Sequence, residues 1–268
     1  MQPASPPPPR VAFLGGNGHS SARLDAVRAE LARGEAGVEL VDVAYPGFEG
    51  RPRAAGFEAF LAEVQLQLDA ARLAGAAGVY ATGIGALFAL SLRARSGAPQ
   101  LPLLIQGAVL WGLEQRLFPR LMRGPMPRLV QAGFRVPAMQ KRFARKYFER
   151  APAEAERKAF FDGYAGCAAF PDFFRWLTPA LLRELERSFA AEPERLARIS
   201  AWWGGRDRVV GVAELEETQR RLGTSWPVRV FPVWGHYPMI DAPAEWARAL
   251  EGALEEELGR DLAAAANT

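Results

Sequence analysis

The strongest constraint on this chain is an alternation. Short apolar runs that end in glycine-rich or turn-rich stretches are followed by segments whose apolar residues recur at helical spacing. Val11–Gly15 is such a run, closed by Gly15-Gly16-Asn17-Gly18, after which Leu24, Val27 and Leu31 mark a helix with Gly34 as its stop. Val38–Ala44 leads into the turn-rich Tyr45-Pro46-Gly47-Phe48-Glu49-Gly50. Phe57, Phe60, Leu61, Val64 and Leu68 give one apolar face to a helix over Phe57–Leu73. Gly78–Ala81 runs through Thr82-Gly83-Ile84-Gly85 into a helical run over Leu87–Arg95, and Leu101–Ile105 reads as another buried strand. Strands alternating with helices predict an α/β fold, with a mostly parallel central sheet flanked by helices.

The alternation stops near Leu113. It resumes at Ile199–Trp203 and Val228–Val233, with a helix between them and a last helix from Pro243. The intervening stretch reads as helices broken by proline, and ten of the sixteen phenylalanines fall there, more than solvated helices require. The expected division is a Pro-rich leader over 1–10, a core made of 11–112 and 194–260, an inserted helical lid over 113–193 and a fraying tail over 261–268.

A length of 268 residues, 49% apolar, suffices for one such domain with an insertion. The apolar stretch Leu101–Leu113 is too short to span a bilayer and is broken by Gln106 and Gly107, so no transmembrane segment is expected. The N-terminal residues lack the apolar core of a secretory signal, and a single cysteine, Cys167, allows no internal disulfide; both favour a cytoplasmic protein. Charge is concentrated. Ten basic residues face two acidic ones between Glu114 and Arg150, which puts +8 in that stretch of a chain whose net charge is +3. Within it, Lys141-Arg142-Phe143-Ala144-Arg145-Lys146-Tyr147-Phe148 interleaves cations with aromatics. Nucleic-acid and membrane-surface segments do this, but so does a helix with one solvated and one packed face, and no nucleic-acid partner is expected. The sharper reading is an aromatic lid with a basic rim, Arg142 and Arg145, that receives a small amphiphilic anion. Two separated histidines and one cysteine make no metal site. The glycine cluster at Gly15–Gly18 lacks both the Lys-Ser/Thr of a P-loop and dinucleotide spacing, so no cofactor is expected.

Three segments together resemble the α/β-hydrolase superfamily, over nearly the whole chain except the lid. Leu14-Gly15-Gly16-Asn17-Gly18 stands where that family has its oxyanion loop, Ala81-Thr82-Gly83-Ile84-Gly85-Ala86 looks like its nucleophile elbow, and Gly204-Gly205-Arg206-Asp207 with Gly235-His236-Tyr237-Pro238 occupies the places of its acid and base. The order elbow, acid, histidine also fits. The elbow needs small residues two positions either side of its apex. With Gly83 at the apex these are Ala81 and Gly85, whereas with Thr82 they would be Tyr80 and Ile84, which would clash. The family's usual first two antiparallel strands are expected to be absent or truncated, because the glycine loop follows so soon after the leader.

The resemblance therefore implies His236 and Asp207 as catalytic residues, the N–H groups of Asn17 and Ile84 as the oxyanion hole, and Gly16, Trp111 and Tyr237 against the substrate. It also implies a nucleophile position, Gly83, that has no side chain, which departs from the family and removes covalent catalysis by the usual route. Three readings stay open. The chain is a hydrolase-like enzyme working on an ester, C–C or C–X bond by general-base catalysis through water; or a ligand-binding pseudo-hydrolase; or a serine hydrolase in which Gly83 replaces the serine. His19, beside Ser20 and Ser21, reads as a residue leading into the first helix rather than as a second catalytic group.

Overall fold

The computed structural model describes residues 7–34, 37–95, 101–108, 110 and 121–266, with side chains as far as residue 256. Among these, six strands form one sheet: β1 (Arg10–Leu14), β2 (Glu39–Asp42), β3 (Ala76–Thr82), β4 (Leu103–Gln106), β5 (Ile199–Gly204) and β6 (Val228–Phe231). Their order is β2-β1-β3-β4-β5-β6 and every neighbouring pair is parallel. Among the described residues β1 is the first strand. Strands covered on both sides must be apolar throughout, and Val11-Ala12-Phe13-Leu14 is buried at every position. The expected Val228–Val233 stops at Phe231, because Pro232 has no N–H to give the ladder.

Helix α1 (Asp25–Leu31) packs on the last helix, which spans Pro243–Ala266 and so continues past residue 260 into the expected tail. That last helix supplies Trp246, which meets Tyr80 edge-on while Tyr80 stacks on its register partner Phe13. Helix α2 covers Phe57–Leu73, as the period predicts, and packs on α3 (Ile84–Arg95). Every residue from Ile84 to Ala94 in α3 is buried. The helix begins three residues before Leu87 because Gly85 lets it lie against β1: a Cβ there would sit 2.4 Å from the Leu14 carbonyl oxygen and 2.7 Å from that of Gly15.

Between β4 and β5 the described residues form α4 (Met126–Gly133), α5 (Pro137–Tyr147), α6 (Glu154–Gly166), α7 (Phe170–Trp176) and α8 (Pro179–Ala191). The prolines that interrupt the sequence here are helix starts. Pro127, Pro137, Pro171 and Pro179 occupy first-turn positions, where a missing N–H costs nothing. The excess phenylalanine is core, since Phe134, Phe160, Phe161, Phe170 and Phe173 are all buried. A charge-assisted fork ties the insertion to the loop after β2. The Arg53 guanidinium donates through Nε at 2.8 Å and Nη2 at 2.6 Å to the buried Asp172 carboxylate of α7.

Candidate active site

The chain leaves β1 toward β2 on one side and returns to β3 on the other, so the crevice at the carboxyl ends of β1 and β3 is a topological switch point, where open parallel sheets hold ligands. Gly16 and Asn17 follow β1 and Gly83 follows β3. Asp207 and His236 come shortly after β5 and β6, at the same end of the sheet. A Cβ on Gly16 would lie 3.9 Å from the Gly83 Cα and 3.9 Å from the Tyr237 hydroxyl, so three of the expected site residues meet. Gly83 has φ +57°, the left-handed conformation of a sharp strand-to-helix turn. A Cβ on Gly83 would meet only the Gly16 Cα, at 3.5 Å, so there is space for a side chain where none exists.

His236 and Asp207 form a buried couple, with Nδ1 2.8 Å from Oδ2. The other carboxylate oxygen accepts the N–H groups of Val209 at 2.7 Å and Val210 at 2.8 Å. Burial opposes ionisation of Asp207, but the facing imidazole and the two backbone donors outweigh it and hold the carboxyl below its ordinary value. An ionised carboxylate only accepts, so Nδ1 carries the proton and Nε2 is the basic nitrogen. Gly107 closes the couple from beneath. A Cβ there would come within 3.3 Å of His236 Nδ1 and 3.4 Å of Asp207 Oδ2.

The depressed acid has a stability consequence. Its contribution is complete above the unfolded value of about 3.8 and is lost as pH falls through the lower folded value. Thermal unfolding followed from pH 6 downward should therefore show a drop in Tm below about pH 4 that is smaller in Asp207→Asn. An equal drop in both proteins would mean that Asp207 is not the group responsible.

In the sequence Gln106 only interrupts an apolar run. It is fully buried at the end of β4 and joins the two halves of the site. Its carbonyl oxygen accepts the Gly83 N–H at 3.1 Å, while its side-chain amide donates to the His236 carbonyl at 3.2 Å. Its Oε1 accepts the hydroxyls of Tyr80 at 3.2 Å and Thr82 at 3.3 Å, and Tyr80 in turn accepts the Trp246 indole N–H at 2.9 Å. Gln106→Leu deprives the buried Thr82 hydroxyl and the His236 carbonyl of this partner, at about 1–3 kcal/mol each, while the Tyr80 hydroxyl keeps the Trp246 indole N–H. Denaturant unfolding should show a loss of about 2–6 kcal/mol; a change below ~0.5 kcal/mol would remove Gln106 from this role.

The inserted helices supply what the sequence did not reveal. Tyr164 of α6 lies with its hydroxyl 2.9 Å from that of Tyr237, and Tyr147 of α5 places its ring 6.1 Å from the His236 ring. Burial is the main cause that pushes the Tyr147 and Tyr237 phenols well above their ordinary value, so both act as neutral groups. Arg23 lies over the rings of Phe160, at 3.9 Å, and Tyr164, at 4.8 Å, and donates to the carbonyls of Phe160 and Asn17. The buried Arg23 Nε and Asn17 Oδ1 have no hydrogen-bond partner among the described residues. His19 sits apart from these groups' hydrogen bonds. Its Nε2 pairs with Asp42 at 2.9 Å and its ring packs on Phe13, while Ser20 stands at the N-cap of the short turn Ser21–Leu24 without a side-chain capping bond. Ser21 is likewise engaged elsewhere, bonding Glu49 at 2.9 Å.

Trp111 lies outside the described residues. Arg142 and Arg145 project outward from α5 while Phe143 and Tyr147 turn toward the core, so the interleaved cations and aromatics belong to two opposite faces. Cys167 is buried, and burial pushes its thiol up to about 12, which favours the neutral thiol. No group of three or more potential metal ligands occurs among the described residues.

A parallel sheet with Gly83, Asp207 and His236 on the loops at its carboxyl edge and a run of helices between β4 and β5 defines the class, and comparison defines the family. The alpha/beta hydrolase family model matches residues 11–249, and the chain belongs to that family. Its structure is similar to that of haloalkane dehalogenase DbeA from Bradyrhizobium elkani, with 20% identity, 94% of this chain and 92% of that chain covered, and a TM-score of 0.72. It is also similar to a membrane phospholipase A described as a bacterial virulence factor, with 20% identity, 93% and 79% covered, and a TM-score of 0.64. At these identities the likeness concerns the fold. No curated protein matches the sequence.

Proposed function

We propose that this hydrolase-like protein cleaves a small hydrophobic or amphiphilic substrate by general-base catalysis, with water in place of a covalent nucleophile. The observation that carries the reading is the His236–Asp207 couple, joined through Gln106 to a turn at Gly83 that leaves side-chain space open. In this reading Nε2 of His236 takes a proton from water as the water oxygen bonds to the substrate's acyl carbon, and Asp207 stabilises the imidazolium. The resulting oxyanion is held by the N–H groups of Asn17 and Ile84, the second at the start of α3. The same imidazolium returns the proton to the leaving oxygen as the acyl–oxygen bond breaks. Gly16, Tyr237 and the helical lid over 113–193 enclose the substrate, with Tyr147, Tyr164 and Phe160 as an aromatic wall and Arg23 as its cationic element.

The test is hydrolysis of short p-nitrophenyl esters by the purified chain. Turnover that disappears in His236→Ala supports the reading. Ester binding without turnover, seen by quenching of tryptophan fluorescence, overturns it in favour of a binding protein, the reading that the missing side chain at Gly83 favours.

A further inference from the structure

The outer side of the inserted helices carries exposed apolar surface and cations that pair with no acidic group among the described residues, although Arg135 donates to the Ala165 carbonyl at 3.0 Å. Residues 121–148 include seven basic side chains and no acidic one. All seven (Arg123, Arg128, Arg135, Lys141, Arg142, Arg145 and Lys146) are exposed, and none makes an ion pair with a described residue. The same stretch holds four of the nine large apolar side chains that stay exposed among the described residues: Leu121 at 55%, Met126 at 39%, Leu129 at 61% and Val136 at 47%. On α4, the solvent-facing residues are Met126, Arg128, Leu129 and Ala132. On α5, Lys141, Arg142, Arg145 and Lys146 share the exposed face, and Gln140 and Ala144 are buried on the other.

We infer that this face docks on an anionic lipid surface. Uncompensated cations next to exposed aliphatic side chains match an interface whose headgroups are negative and whose next layer is hydrocarbon. The distribution also separates this partner from a nucleic acid. Binding to single strands uses aromatic side chains for base stacking, yet Phe134, Phe143, Tyr147 and Phe148 of this stretch are packed inward, and only aliphatic groups stand among the cations. The same helix carries Tyr147 to within 6.1 Å of the His236 ring, so the proposed docking face and the candidate site share α5. The inference concerns binding and does not depend on turnover.

The experiment is co-sedimentation of the full chain with vesicles of phosphatidylcholine alone and of phosphatidylcholine with phosphatidylserine. Binding is expected only to the second kind, and to weaken as salt is raised. The triple variant Arg142→Gln/Arg145→Gln/Lys146→Gln should lose vesicle partitioning on the order of tenfold or more, and Leu129→Ser several-fold, with circular dichroism unchanged. Equal binding to both vesicle types, no binding to either, or binding indifferent to both variants overturns the inference. Retention on single-stranded DNA or polyglutamate without vesicle binding overturns it as well, in favour of a macromolecular partner.

Discussion

Gly83→Ser is expected to turn the chain into a covalent hydrolase, with a gain on the order of 10²–10⁴-fold in turnover of p-nitrophenyl esters. The space exists, since a Cβ at Gly83 has only the Gly16 Cα near it, at 3.5 Å, and the backbone already holds the left-handed φ of such a turn. The new hydroxyl would find a histidine whose Nδ1 is already engaged by Asp207. Two measurements read the change: a burst of nitrophenolate in the first turnover, and stoichiometric labelling by a fluorophosphonate that spares the unaltered chain. The substitution should cost some stability, because a side chain in this backbone region is strained by about 1–3 kcal/mol. An expressed, folded variant with neither burst nor labelling would mean that Gly83 is not the apex of a nucleophile elbow.

The second large effect concerns the acid and the base. His236→Ala should lower ester turnover by roughly 10²–10⁴-fold while leaving substrate binding nearly unchanged, because the general base acts on the transition state. Asp207→Asn should cost a comparable factor, by presenting the wrong partner to Nδ1, while its retained oxygen can still accept the Val209 and Val210 N–H groups. Asp207→Ala removes that acceptor too and should lose about 2–5 kcal/mol in denaturant unfolding. The contrast between the two Asp207 variants separates chemistry from architecture. Activity preserved in His236→Ala would end the case for this histidine as the base.

The sequence yields whichever features repeat locally. Phe57–Leu73 is legible to its ends because its apolar period runs unbroken. The register of the Gly83 turn is legible because the neighbouring carbonyls of β1 admit no side chain at Gly85, so smallness there is forced. Asp207 and His236 are legible as turn residues just after strands, in the order the fold demands. Tyr147, Tyr164 and Arg23 are not, because they reach the site from separate helices and from the loop after β1, and no spacing links residues 23, 147 and 164. Gln106 hid for a different reason. A polar residue inside a buried run looks like a defect until its four partners, contributed by β3 and the distant His236 segment, are in place.

The adjacency of β4 and β5 bears on how this molecule assembles. Their pairing, Leu103 beside Ile199 through Gln106 beside Trp202, closes a loop of about ninety residues. The half-sheet β2-β1-β3-β4 is built from short-range crossovers and can form first, and it includes Gly83. Asp207 and His236 arrive only when β5 and β6 are laid against it, after the intervening helices have collapsed and shortened the span. Nothing therefore unites the two halves of the candidate site before the slowest, most non-local contacts are made. By the same topology, detachment of β5 and β6 would separate Asp207 and His236 from Gly83 while the pairing of β2, β1, β3 and β4 could persist, so hydrogen exchange in β5 and β6 should follow any loss of the site.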